Sequence, residues 1–357
     1  MKGHPIMKKY ISLILAVILV LTLFGCSKPE EETKTATTTT TTTTETTTSP
    51  FVTGGNPLTG QKKFAKSAKG KRPVAIVVEN AEPARPQWGI ETPDIIVEGE
   101  VEGGISRMLW VYADYKSVPE KVGPLRSARP SYVRFSTLFD AIFIHWGGSH
   151  SKAGYEGGYS TIKRLKVDDI DGINGGSLFG RDQTRGTSLE HRGILYGNNI
   201  SDTIKNKGFR VKQKKDKTSF TFNVKNKKVG KDAANNVGVT FSSRTNTRTF
   251  TYNSKDLKYH TNDWQTDVKF KNLIVLQDSS TYITTPYKGG STTYLNYDYK
   301  GGEGYLISMG SYTKIKWDVA VDKLNIRSAD GKDIAFNIGK SYIAFASTNN
   351  GGNVAIS

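Results

Sequence analysis

The chain has one cysteine in 357 residues, Cys26, so it cannot form an internal disulfide and must draw its stability from a packed core. Histidine is scarce too. The five histidines are scattered, with neither an H-E-x-x-H pair nor a His/Cys group at zinc-ligand spacing, and no metal site is expected. A G-x-S-x-G elbow and a P-loop are missing, which removes the common serine-hydrolase and nucleotide-triphosphate chemistries. No cofactor is expected. Long apolar runs are nearly absent as well, the one exception being Ile11 to Phe24. That run is shorter than the roughly 18 residues a spanning helix needs, and a retained transmembrane helix is not expected.

The same run, preceded by Lys8 and Lys9 and closed by Leu23-Phe24-Gly25-Cys26, has the L-x-G-C form of a bacterial lipoprotein signal. Residues 1–25 read as a signal peptide, with Met7 as a second candidate start. Cys26 reads as the lipidation site, which uses up the only thiol and excludes a cysteine nucleophile. The expected location is the extracytoplasmic face of a cell membrane, held by lipid. Residues 26–56 are polar and almost wholly threonine between Thr33 and Thr48, a composition that cannot bury a core and reads as a solvated tether.

About 300 residues remain, which the usual domain size divides into two, 57–208 and 209–357. The first segment mixes strands and helices. Val74 to Glu79 is a β-branched apolar run, and Asp94 to Glu102 with Ile105 to Tyr112 flank Gly103-Gly104 as a hairpin would. A helix is expected after Arg129 with Pro130 at its first position, then a strand over Ala141 to Trp146. Further helices are expected near Thr161 to Leu165 and Ile200 to Lys207. The second segment reads as mostly β, with eight short runs between Ser219 and Ala346 separated by turn signals such as Gly289-Gly290 and Asp330-Gly331. The fold class expected is α+β, an N-terminal layered sheet-and-helix domain followed by a mostly β C-terminal one.

Charge is the strongest compositional signal. There are 50 basic against 33 acidic residues, and removing the leader's Lys2, Lys8 and Lys9 leaves 47 against 33. The excess is local: eleven basic residues fall between Ile200 and Lys231 against Asp202 and Asp216. Outside a cell the available polyanions are anionic headgroups and wall polymers, and the address argues against nucleic acid. A merely solubilising surface would carry the same charges.

Three constellations could carry chemistry. Strict strand alternation puts Glu98, Glu100 and Glu102 on one face, with Arg107 opposite Glu100. These could be an acid/base cluster of the kind glycan hydrolases use, or an ion network around Arg107, the reading favoured. Arg126 and Arg129, just before the expected helix, could with Arg85 and Arg107 bind an anion, or pair internally with Asp94, Asp140 or the hairpin glutamates. His145 opens a glycine-rich loop, where a structural role is the commoner one, and Arg181, Arg185 and His191 form a polar loop that could cover the same surface. Asp94, Glu98, Glu102 and His145 are therefore catalytic candidates only in a hydrolase reading.

The chain resembles the YerB-like lipoproteins, a bacterial family without an assigned biochemical activity. The resemblance lies in Asn80-Ala81 with Ala84-Arg85-Pro86-Gln87, Asp94-Ile95 with Glu98, Val101 to Arg107, Val122-Gly123-Pro124 with Arg126 to Pro130, and His145 with Gly147-Gly148-Ser149. It continues through Lys271 to Val275, Gly302 to Tyr305, Ile315-Lys316-Trp317 and Gly331 to Ile343, while His260 to Asp267 departs from the family pattern. The resemblance implies two domains and brings no catalytic residues. The function expected is a non-catalytic envelope protein binding an anionic wall polymer or a membrane-associated partner, with a wall-modifying hydrolase as the alternative.

Overall fold

The computed structural model describes residues 51–357 apart from 53, 216, 288 and 321. The signal peptide, Cys26 and the threonine-rich stretch lie outside the described residues. Strand β1 (Val74–Glu79) is buried along its whole length, as an unbroken apolar run must be when neighbours flank it and both its faces are covered. Strands β2 (Ile95–Glu102) and β3 (Ile105–Tyr112) form the expected hairpin. Its two turn residues, Gly103 and Gly104, have φ of 62° and 77°, the left-handed region that a two-residue turn needs and that glycine takes without strain. Helix α1 (Pro130–Leu138) starts on its proline, followed by β4 (Ile142–His145), α2 (Gly158–Leu165), β5 (Asp169–Asp171) and α3 (Ile200–Asn206).

Strands from both halves of the sequence share one 13-stranded sheet. Ten of them run in the order Lys323–Ser328, Ser311–Ala320, Gly302–Ser308, Asn272–Asp278, Ser341–Ser347, then β2, β3, β1, β4 and β5, and Ser280–Tyr287, Gly290–Tyr297 and Asp232–Ala233 branch from this path. The join is the parallel pairing of Ser341–Ser347 with β2, which sets Ile95 opposite Ser341 and Glu98 opposite Ala344. A second sheet of five strands is built from Val268–Phe270, Lys258–Thr261, Arg248–Asn253, Asn236–Thr240 and Asn353–Ile356.

Because strand side chains alternate, β1 feeds two cores. Val74, Ile76 and Val78 pack with Trp110 and with Phe250, Trp264 and Phe270 of the second sheet's region. Ala75 and Val77 pack with Leu109 and with Tyr132, Val133 and Phe135 of α1. Residues 49–357 form one compact unit, and both cores are made of its residues.

The molecule is mostly β, and the α+β expectation stands in a coarser form. The three α-helices among the described residues span only 9, 8 and 7 residues and all precede Gly208. Each of the eight runs expected as strands after residue 209 overlaps one. No helix among the described residues is long and apolar enough to cross a membrane.

Candidate functional site

The hairpin glutamates do not share a face as strict alternation predicts. A bulge lies between Glu100 and Glu102, and Arg107 sits opposite Gly99 rather than Glu100. One extra residue in a strand shifts its alternation by one, so every side chain beyond it changes sides. Glu98 therefore points to the side of Met108 and Tyr342, while Glu102 joins Arg107 on the side of α1.

Glu98 is fully buried and saturated with donors. Asn80 Nδ2 and Ser106 Oγ each donate to Oε1 at 2.6 Å. Arg248 donates from Nη2 to Oε1 at 2.7 Å and from Nε to Oε2 at 3.3 Å, and the Tyr342 hydroxyl donates to Oε2 at 2.9 Å. Burial opposes the charge on Arg248, but Glu98, with Tyr342 and Asp263, more than offsets it and holds the guanidinium pKa above its ordinary value. A carboxylate so engaged has no lone pair left for a substrate. The neighbouring Arg85 donates to the backbone oxygens of Asp263 and Asn80 at 3.1 and 2.9 Å. It makes no ion pair among the described residues, and burial, then Arg248, lower its pKa.

Glu102 takes the position in front of α1 that an anion could have used. Arg107 Nη2 reaches its Oε1 at 3.0 Å and Arg129 Nε its Oε2 at 2.8 Å, with Arg129 Nη2 closing a second contact to Oε1. Burial pushes the Glu102 carboxyl up, yet Arg107 and Arg129 outweigh it and hold the pKa at about 2. Arg107 itself is lowered to about 10, first by burial. Arg126 bonds Glu79 at 3.1 Å and Glu190 at 2.9 Å. Asp94, one of the possible internal partners of these arginines, instead accepts from Asn56 Nδ2 at 2.9 Å and Ala113 N at 2.8 Å, and burial raises its pKa.

His145 is also buried, with Nδ1 2.7 Å from the Gly147 carbonyl and Nε2 3.0 Å from Asp169. Both ring nitrogens are engaged, and neither meets a hairpin glutamate. Besides Arg248, sequence reasoning missed Glu79, whose Oε2 lies 2.9 Å from His191 Nδ1. Its signal was a charge closing the apolar run of β1. Of the polar loop, Arg181 lies over Trp146 at 4.5 Å and Arg185 over Trp88 at 4.0 Å. Among the described residues no group of three or more His, Cys, Asp or Glu could hold a metal ion.

The arginines are thus consumed internally, and the open charge lies elsewhere. Lys212, Lys214, Lys215, Lys225, Lys227, Lys228 and Lys231 are exposed, and none is ion-paired among the described residues. Their backbone is nevertheless pinned. Asp140 accepts from Lys214 N at 2.9 Å and from both terminal nitrogens of Arg210 at 2.9 and 2.6 Å. The buried Asn337 accepts from Lys227 N at 2.9 Å and donates to Lys227 O at 2.8 Å. Two depressions open beside these lysines. One of about 210 Å³ is lined by Pro57, Leu58, Lys214, Lys215 and Lys217, and one of about 570 Å³ by Phe51, Asn223, Lys227 and Lys228.

Two family profiles match the chain. Protein of unknown function (DUF3048), N-terminal domain, matches residues 58–210, and the C-terminal domain of the same description matches 231–343. Over 302 residues the chain is 29% identical to YerB of Bacillus subtilis (strain 168), provisionally named a lipoprotein, which covers 80% of this chain and 84% of that protein. The crystal structure of the Bacillus subtilis YerB protein superposes with a TM-score of 0.67 at 27% identity, over 84% of this chain and 98% of that one.

Proposed function

The chain belongs to the YerB-like lipoprotein family, and from that premise we propose that it is a lipid-anchored, extracytoplasmic envelope protein that acts by binding a polyanion rather than by catalysis. The L-x-G-C signal supplies the anchor at Cys26. The observation that carries the binding reading is a division among its cations: Arg107, Arg129 and Arg248 neutralise buried carboxylates, whereas seven lysines between Lys212 and Lys231 are exposed without a carboxylate partner among the described residues. Unneutralised surface charge that is held in place is available to an external anion. A wall hydrolase built on Glu98 or Glu102 with His145 has no such support, since the two carboxylates point to opposite sides of the strand and each is held by a guanidinium.

The test uses residues 49–357, which fold as one unit. Their binding to teichoic acid and to anionic lipid is measured at rising salt. Binding to either that weakens steeply with salt is expected, because contacts between exposed charges are screened over about 10 Å at 0.1 M ionic strength. No binding to any polyanion, or release of muropeptides from purified peptidoglycan, would overturn the reading.

A further inference from the structure

The lysine tract is not purely cationic. Val211 and Val224 lie within it and Phe51 beside it, exposed by 40%, 47% and 43%. Phe51 pairs with Asn223 in an isolated bridge, and Val52 N donates to Phe222 O at 2.9 Å, so the first described residues run alongside the segment that carries the lysines. The tract is continuous. Ser219 lines both the depression at Lys214–Lys217 and a middle one, and Thr221 lines both the middle one and the depression at Lys227 and Lys228.

Two independent observations therefore meet on one surface. It carries exposed apolar side chains among lysines, and it is where the chain from Cys26 joins the globular part. Only 25 residues separate Cys26 from Phe51, so even fully extended, at about 3.5 Å per residue, the lipid site lies within roughly 90 Å of this face. A short covalent link keeps the local concentration of the two surfaces high, and weak contacts then suffice to hold them together.

Resting on the polyanion reading above, we propose that this face is a membrane-contact surface that lies on the anionic phospholipid bilayer anchoring the chain. The lysines take the headgroup phosphates, while Val224 and the neighbouring Phe51 enter the boundary with the acyl chains. Lysine suits this position because its long apolar stem can lie along the boundary while the ammonium stays with the phosphates. A soluble wall polyphosphate would satisfy the lysines equally well. It offers no apolar phase for these two hydrophobic side chains, and this favours the bilayer.

The experiment mixes residues 49–357 with vesicles of phosphatidylcholine alone, with vesicles also containing phosphatidylglycerol, and with purified teichoic acid. The body is expected to bind only the phosphatidylglycerol vesicles tightly. Each lysine near such a surface contributes about fivefold in partitioning, so Lys227→Glu with Lys228→Glu lowers binding at least about 25-fold without unfolding the body. Because the body has no cysteine, Val224→Cys carrying an environment-sensitive dye reports insertion directly, and a blue shift on the phosphatidylglycerol vesicles is expected. Binding to teichoic acid without binding to vesicles overturns the membrane surface and leaves the polyanion reading standing. Binding to neither overturns both, and vesicle binding with no dye shift overturns the inserted geometry.

Discussion

Glu98 and Arg248, 150 residues apart in sequence, meet at 2.7 Å where neither is exposed by more than 6%. The pair joins β2 of the large sheet to Arg248–Asn253 of the second sheet, and Tyr342 from the strand that pairs with β2 donates to the same carboxylate. A catalytic carboxylate and a structural one predict different losses when their partner is removed. Here Arg248→Ala removes the guanidinium from the buried pair and leaves Glu98 in the interior without its ion-pair partner, which costs about 3–5 kcal/mol. Urea unfolding of residues 49–357 measures this. A cost below about 1 kcal/mol would show that the pair does not hold the sheets together.

Glu102 gives a pH signature. Its folded-state pKa of about 2 lies below the ordinary 4.5, so its ion pairs contribute stability that is present above pH 4.5 and lost as pH falls through 2. The size is on the order of 3 kcal/mol. Chemical denaturation of the wild type across that window should show the loss, and Glu102→Gln should show a flatter slope with lower stability at neutral pH. Identical slopes for the two proteins would contradict the assignment.

How much of this was legible in the sequence depends on range. The β1 run, the Gly-Gly hairpin and the Pro130 helix start are encoded within a few residues each, and all appear where local rules put them. Glu98 was singled out, but its partner Arg248 lies on a strand that only the tertiary fold brings near. Glu102 was placed on the wrong side because a bulge leaves no mark in a sequence of alternating polar and apolar residues. The strand Ser280–Tyr287 escaped for a different reason: its threonines, tyrosines and Ile283 favour a strand, but they show no clean apolar alternation and Pro286 interrupts the run.

Asp278 shows the opposite sign from Glu102. It is 2% exposed, its Oδ1 has no hydrogen-bond partner among the described residues, and burial pushes its pKa up to about 6. An acid with a raised folded pKa favours the folded state below its ordinary 3.8, and that contribution is lost as pH rises through 6. Asp278→Asn keeps an acceptor for Tyr299 N, now 3.2 Å from Oδ2, and adds no charge. The variant should be more stable than wild type by on the order of 2–3 kcal/mol at pH 8, with the advantage gone below pH 4. Thermal melts at the two pH values decide it, and an advantage that does not change with pH would refute it.

Asn337 separates the position of the lysines from their charge. Its side chain is fully buried, bonds both backbone groups of Lys227, and donates to Ser308 Oγ at 2.9 Å. Asn337→Ala leaves those backbone groups without a partner at a cost of about 1–3 kcal/mol, and it releases the loop that carries Lys225, Lys227 and Lys228 without touching their charge. Amide hydrogen exchange at Lys227 should accelerate, and binding to anionic vesicles should fall because the freed loop must be ordered again on contact. The double charge reversal at Lys227 and Lys228 makes the converse case, since those exposed side chains support no buried contact and their loss should leave exchange at Lys227 nearly unchanged. If Asn337→Ala lowered stability while exchange at Lys227 stayed slow, the loop would be held by other contacts and its presentation of the lysines would not depend on this residue.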